Sequence, residues 1–129
     1  MAQGPRIDRS ALIVAAISGA LAVGLGAFGA HGLRSWVTPE RLEIWRTAVQ
    51  YQMFHTLALL VVGLVGAELD VRWTRRLFTL GILVFSGSLY LLVLTGLGVL
   101  GAVTPVGGLA LIAGWLALAW AAWQRRGAN

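Results

Sequence analysis

The sequence predicts an all-α fold, an integral membrane four-helix bundle with both termini in the cytoplasm. The first observation is composition. Of 129 residues, 58% are hydrophobic, 17 more are Gly, and only 12% are charged, which is about half the usual charged share of a soluble domain. A water-soluble chain this small needs far more polar surface to cover one core. The second is the spacing of the charges. Runs without a formal charge extend over 24 residues from Ser10 to Leu33, 21 from Thr47 to Ala67 and 48 from Leu77 to Gln124. The third is the placement of the ten basic residues, all Arg, in short clusters at the ends of those runs. A soluble globular enzyme, a disordered chain and a disulfide-stapled secreted domain are thereby excluded. With no cysteine in the chain, thiol catalysis and Cys-ligated metal are excluded as well. The net charge of +5 is membrane-flanking charge and does not point to nucleic acid.

A membrane-crossing helix needs about 20 apolar residues, so spans are expected near 11–33, 47–67, 77–95 and 104–123, forming a single transmembrane domain over residues 1–129. The first span imitates a signal peptide, with Arg6 and Arg9 ahead of an apolar run that ends in Ala27-Phe28-Gly29-Ala30. The run is longer than a usual signal core, and the segment is read as a retained helix. Ser18, Ala22, Gly26 and Ala30 recur every fourth residue along it, the spacing of a helix-packing stripe that permits close backbone approach. His31 is expected to cap the carbonyl end of this helix.

In the first loop, Thr38-Pro39-Glu40 supplies an N-cap, a Pro at the first helical position and a first-turn acid. The second helix is therefore expected to start before the bilayer. Leu42, Trp45 and Val49 share one face, while Glu40, Arg41, Glu43 and Arg46 form a solvated face. Glu68 and Arg72, four apart, are expected to pair locally. The long last run would make a helix of about 72 Å, so it must fold back. Gly96, Gly98 and Gly101 mark the break, with Thr104-Pro105 as cap and start of the fourth span, along which Ala113, Ala117 and Ala121 form a second packing stripe. Trp36 and Trp45 at one face of the membrane, and Trp73, Trp120 and Trp123 at the other, suit interfacial aromatic belts.

Orientation follows the Arg count beside the spans. Arg6, Arg9, Arg72, Arg75, Arg76, Arg125 and Arg126 flank one side, against Arg34, Arg41 and Arg46 on the other. The bias places both termini in the cytoplasm.

Six ordered motifs carry a family resemblance. They are Ala16-Ile17-Ser18-Gly19, Leu25-Gly26-Ala27-Phe28-Gly29-Ala30-His31, Tyr51-Gln52-Met53-Phe54-His55-Thr56-Leu57, Phe85-Ser86-Gly87-Ser88-Leu89-Tyr90, Val103-Thr104-Pro105-Val106-Gly107-Gly108 and Ala113-Gly114-Trp115. Together, over about residues 11 to 120, they resemble the YgdD/YwdK-like family of small membrane proteins. The resemblance implies a multi-pass protein of the bacterial inner (plasma) membrane with four spans. It implies no reaction, cofactor or catalytic residue.

The functional leads are the polar residues inside the spans: His55 and Ser86 near the midplane, Gln52 and Tyr90 about one turn away, and Tyr51 on the same helix edge as His55. Unpaired polar groups are costly in hydrocarbon, so these side chains should face the bundle interior and bond one another. One nitrogen of the His55 ring should donate and the other accept, with Tyr51, Gln52, Ser86 or Tyr90 as partners. His31 and His55 differ in depth by about 12 Å at the helical rise, which excludes a haem held between them. No acid lies within a span to complete a metal site, and no Ser-His-Asp set can assemble. Gly26, Gly29 and Gly32 lack the strand, helix and Lys of a nucleotide loop.

Two functions remain. One is a non-enzymatic packing or accessory component that sits in the lipid bilayer and associates with itself or a larger membrane complex. The other is a small oligomeric transporter or proton-linked carrier that uses the polar cluster around His55. A faint repeat favours the carrier: Ser18-Gly19-Ala20-Leu21 resembles Ser86-Gly87-Ser88-Leu89, and Leu57-Ala58-Leu59-Leu60 resembles Leu109-Ala110-Leu111-Ile112, as in two parallel hairpins.

Overall fold

A computed structural model describes residues 7–126 of the chain, so Arg6 and the side chain of Arg126 lie outside the described residues. Among the described residues, four helices are long and apolar enough to cross a membrane. Helix α1 (Arg9–Ala30) is started by Asp8, whose carboxylate accepts from the Ala11 N–H at 3.1 Å. It stops at Ala30 rather than continuing to residue 33, and a 3-10 turn over Leu33–Ser35 buries Leu33. The backbone N–H of His31 bonds the Ala27 carbonyl, so it is the main chain that closes the helix, and the His31 side chain is exposed.

Helix α2 (Pro39–Val65) starts where the Thr38-Pro39-Glu40 signal places it, with the Thr38 hydroxyl accepting from the Arg41 N–H. Helix α3 (Arg72–Thr95) begins five residues ahead of the expected 77. It is α-helical over Arg72–Gly81, widens to a π turn over Ile82–Ser86 and returns to α over Gly87–Thr95. Gly96 ends it at φ 73, a left-handed conformation open to Gly, and its N–H bonds the Leu92 carbonyl at 2.8 Å.

Helix α4 (Leu100–Arg126) departs from expectation at its start. Pro105 lies inside the helix rather than at its first turn. Three i→i+3 turn bonds through Leu100, Gly101 and Ala102 wind the helix before Thr104 is reached. Pro105 then removes only the bond that would end on the Gly101 carbonyl. Thr104 is not a cap; its hydroxyl donates to the Leu100 carbonyl and meets Ser88 of α3 at 2.6 Å.

The helices run up and down. The closest pairs are α1 with α2 and α3 with α4, while α2 and α3 form the more buried centre. This pairing is that of two successive hairpins. The outer faces of α1 and α4 are rows of exposed Leu, Ile, Val and Trp, as lipid contact requires.

Two apolar clusters make the core. One lies toward the termini and is built on Ala11, Ala15, Leu59, Val62, Phe78 and Leu111. The other lies toward the opposite end, around Leu33, Trp45 and Val93. Trp45 is therefore a core residue, 2% exposed, and not part of an interfacial belt. Its indole N–H donates to the Leu25 carbonyl at 2.8 Å, and its ring meets Phe28 and Tyr90. Gly29 makes this possible, because a Cβ there would stand 2.6 Å from the indole. Trp36, Trp73, Trp120 and Trp123 are exposed, as belt residues are.

The packing stripe of α1 follows the same geometry. Ser18 and Ala22 are buried, and a Cβ on Gly26 would touch Val49 at 3.4 Å. Ala30 is exposed, and the contact passes through Gly29 instead. The reason is periodic: at 3.6 residues per turn a strict i+4 series drifts off the contact face. On α4, helix α3 is met by Gly107, Leu111 and Gly114; of the expected stripe Ala121 is buried, whereas Ala113 and Ala117 are half-buried beside that contact.

Candidate functional site

Between the two apolar clusters lies a layer of buried polar residues: Ser18, Gln52, His55, Thr56, Ser86 and Ser88. All five residues expected to cluster fall at this level, but they divide into two networks and one separate bond.

The first network joins α1, α2 and α3. The Gln52 amide nitrogen donates to the Ser18 carbonyl at 3.0 Å, and its oxygen accepts from the Tyr90 phenol at 2.6 Å. The Ser18 hydroxyl lies 2.6 Å from that of Thr56. A single Gln thus uses its donor and its acceptor on opposite sides, toward α1 and toward α3. Ser18 was expected only to pack; its small side chain both admits α2 and bonds it.

The second network joins α2 to α4. His55 Nδ1 lies 2.7 Å from the Tyr51 carbonyl, and the Trp115 indole N–H donates to His55 Nε2 at 3.1 Å. A carbonyl only accepts and an indole N–H only donates, so this geometry fits a neutral ring carrying its proton on Nδ1. The partners of His55 are thus one turn of its own backbone and a Trp, in place of the side chains of Tyr51, Gln52, Ser86 and Tyr90. Tyr51 contributes its carbonyl and its ring, which stacks near Phe85 with centroids 4.6 Å apart, while the residue itself is exposed. Phe78 packs edge-on against both His55 and Trp115. His55 is therefore enclosed by aromatic rings and a peptide carbonyl.

Ser86 bonds neither network. Its hydroxyl donates to the Ala48 carbonyl of α2 at 2.7 Å, from the last position of the π turn. Ile82 and Ser86, at the two ends of that turn, both face inward. Gly107 of α4 lies so close behind that an added Cβ would strike the backbone of Phe85.

Thr56, Thr104 and Trp115 belong to the site and were not among the expected residues. For the two threonines the available signal was position, a hydroxyl within a span. For Trp115 there was little, because an indole counts as apolar in composition while carrying one obligatory donor.

At the end of the bundle that holds the termini, the charges are matched. Asp8 accepts from both its helix and Arg75, whose guanidinium lies 2.7 and 3.0 Å from its two oxygens, and the Asp8 N–H bonds the Gly63 carbonyl. One residue thereby ties the starts of α1 and α3 to the end of α2. Glu68 pairs with Arg125 of α4, and Arg72 pairs with Asp70, so the expected Glu68–Arg72 pair does not form. Residues 66–71 do not continue α2, which removes the i+4 geometry that the pair needs. Arg72 grips Asp70 with two hydrogen bonds and holds its carboxyl down at about 2. At the other end Arg46 meets Glu43 in the open, on the solvated face expected of that segment.

Compared with known proteins, the chain matches over residues 25–108 the family described as "Protein of unknown function (DUF423)". It is 47% identical over 109 residues to a UPF0382 membrane protein of Staphylococcus aureus (strain bovine RF122 / ET3-1), covering 83% of this chain and 89% of that one. To the UPF0382 membrane protein YwdK of Bacillus subtilis (strain 168) it is 46% identical over 115 residues, covering 86% and 94%. No solved structure matches it.

Proposed function

The chain belongs to the DUF423 family of UPF0382 membrane proteins, and from that premise we propose that it is a non-enzymatic packing or accessory component of the plasma (inner) membrane. The observation that carries this reading is the closure of the polar layer on itself. Gln52 spends both ends of its amide on Ser18 and Tyr90, and His55 spends both ring nitrogens on Tyr51 and Trp115. Interhelical bonds of this kind are worth about 0.6–2 kcal/mol each. A layer of them fixes the rotation of each helix about its axis where apolar packing alone is permissive. The work of these residues is then to hold the bundle in one arrangement, presenting its outer faces to lipid, to a second copy or to a larger complex.

One observation favours the carrier alternative. The π turn over Ile82–Ser86 sits at the depth of the polar layer, and such turns recur at functional sites. The two readings part on proton movement. Purified protein in vesicles loaded with a pH-sensitive dye should dissipate an imposed pH gradient no faster than empty vesicles. A leak that appears with the parent and disappears with His55→Gln would replace the packing reading with the carrier.

A further inference from the structure

Ala113 and Ala117 of α4 are only half-buried, because α3 closes on Gly107, Leu111 and Gly114 instead, and Ala121 is buried one turn nearer the C-terminal end. The three alanines floor an open groove of about 440 Å3 between α3 and α4. Its walls are Trp73 and Leu77 from one helix and Leu116 and Trp120 from the other, and Asp70 and Gln124 stand at its mouth. The floor and walls are apolar and lie within the membrane-crossing part of the helices.

The charge beside the groove identifies an occupant. Three carboxylates at this end are each taken by an Arg: Asp70 by Arg72, Asp8 by Arg75 and Glu68 by Arg125. Arg76 has no carboxylate partner among the described residues. Its guanidinium lies 5.5 Å from the ring centroid of Trp73, which is a wall of the groove. An uncompensated cation thus lies beside the Trp73 wall of an apolar slot, near the end where exposed Trp120 and Trp123 mark the membrane surface.

We propose that this groove binds an anionic phospholipid, with one acyl chain lying on the alanine floor between Trp73 and Trp120 and the phosphate against Arg76. The Gln124 amide is placed to donate to the headgroup. A zwitterionic lipid brings the same phosphate with a cation of its own and so gains less from Arg76, and an apolar helix would bury the cation without answering it.

The test uses the chain's own indoles. The full protein is reconstituted in phosphatidylcholine vesicles that contain, at equal mole fraction, either phosphatidylglycerol or phosphatidylcholine with brominated acyl chains. Subtracting a Trp73→Phe/Trp120→Phe double variant isolates the fluorescence of the groove. An Arg beside an anionic headgroup changes partition about fivefold, so the groove indoles should be quenched several-fold more efficiently by the brominated phosphatidylglycerol. Arg76→Gln should reduce that quenching to the phosphatidylcholine level, Arg76→Lys should keep the preference, and Ala117→Leu should lower quenching by both lipids. Each variant is checked for an unchanged helical circular dichroism spectrum. Equal quenching by both lipids in the parent, or a phosphatidylglycerol preference that survives Arg76→Gln, would overturn the proposal. So would efficient disulfide-linked dimer formation by Ala117→Cys in this cysteine-free chain, which would give the groove to a second copy.

Discussion

Thr74 is 1% exposed, and its hydroxyl has no hydrogen-bond partner among the described residues. A buried polar group left unpaired costs about 1–3 kcal/mol. Thr74→Val keeps the branched shape and removes the orphan, so it should raise the midpoint of thermal unfolding in detergent; a lowered midpoint would mean that the hydroxyl is bonded. His55 presents the opposite case, since both ring nitrogens are occupied. His55→Leu leaves the Trp115 indole N–H without its acceptor and should destabilise by about 1–2 kcal/mol. Trp115→Phe should cost about the same, and the double variant should cost no more than either single one, because both remove one bond. Additive effects would show that the two side chains do not depend on each other. The depth of His55 and its need for two partners were readable from the sequence. The identity of those partners was not, because it depends on how far α2 is rotated about its axis, which periodicity alone leaves open.

At the level of the helix, glycines decide which faces meet. Gly24 has nothing within 4 Å of an added Cβ, whereas at Gly29 the same atom would stand 2.6 Å from Trp45, and at Gly107 it would collide with the backbone of Phe85. In a helix interior Ala is intrinsically better than Gly by up to about 1 kcal/mol. Gly24→Ala should therefore be neutral or stabilising. Gly29→Ala and Gly107→Ala should destabilise by about 1–3 kcal/mol through overpacking, Gly107 the more severely because backbone cannot swing aside as a side chain can. The same ranking read from detergent melts of the three variants checks it, and a stable Gly107→Ala would separate α3 from α4 at that point. The four helices themselves were legible, because length and hydropathy alone define them. The contact faces were legible only in part. Repeats of exactly four residues led to Ala30, Ala113 and Ala117, while the close approaches use Gly29 on α1 and, on α4, Gly107, Leu111 and Gly114, four and three apart as a real helix requires. The start of α4 was misjudged for a different reason: a Thr-Pro pair is a helix-start signal in water-exposed loops, but here Thr104 has a partner on α3 and no need to cap.

For the molecule as a whole, the up-and-down course of the four helices puts the start of α1, the connection between α2 and α3 and the end of α4 at one end of the bundle. Seven of the ten Arg flank that end. Three of those with described side chains are neutralised by Asp8, Glu68 and Asp70, so net charge at the two ends differs less than the Arg count does. The distinction matters, because the topology bias counts Lys and Arg beside the spans and gives acidic residues little weight. If the Arg count governs, the terminus end faces the cytoplasm. A reporter active only outside the cytoplasm should then work when fused after Val37, in the connection ahead of α2, and fail when fused after Asp70 or at the C-terminus. The opposite pattern would invert the molecule. Asp8→Asn together with Asp70→Asn offers a sharper version, because it raises net charge at the terminus end without adding an Arg. Under an Arg-counting rule the reporter pattern stays as it was. Were net charge the determinant, the pair of substitutions would strengthen a cytoplasmic placement of that end, and any fraction of inverted molecules in the parent would fall.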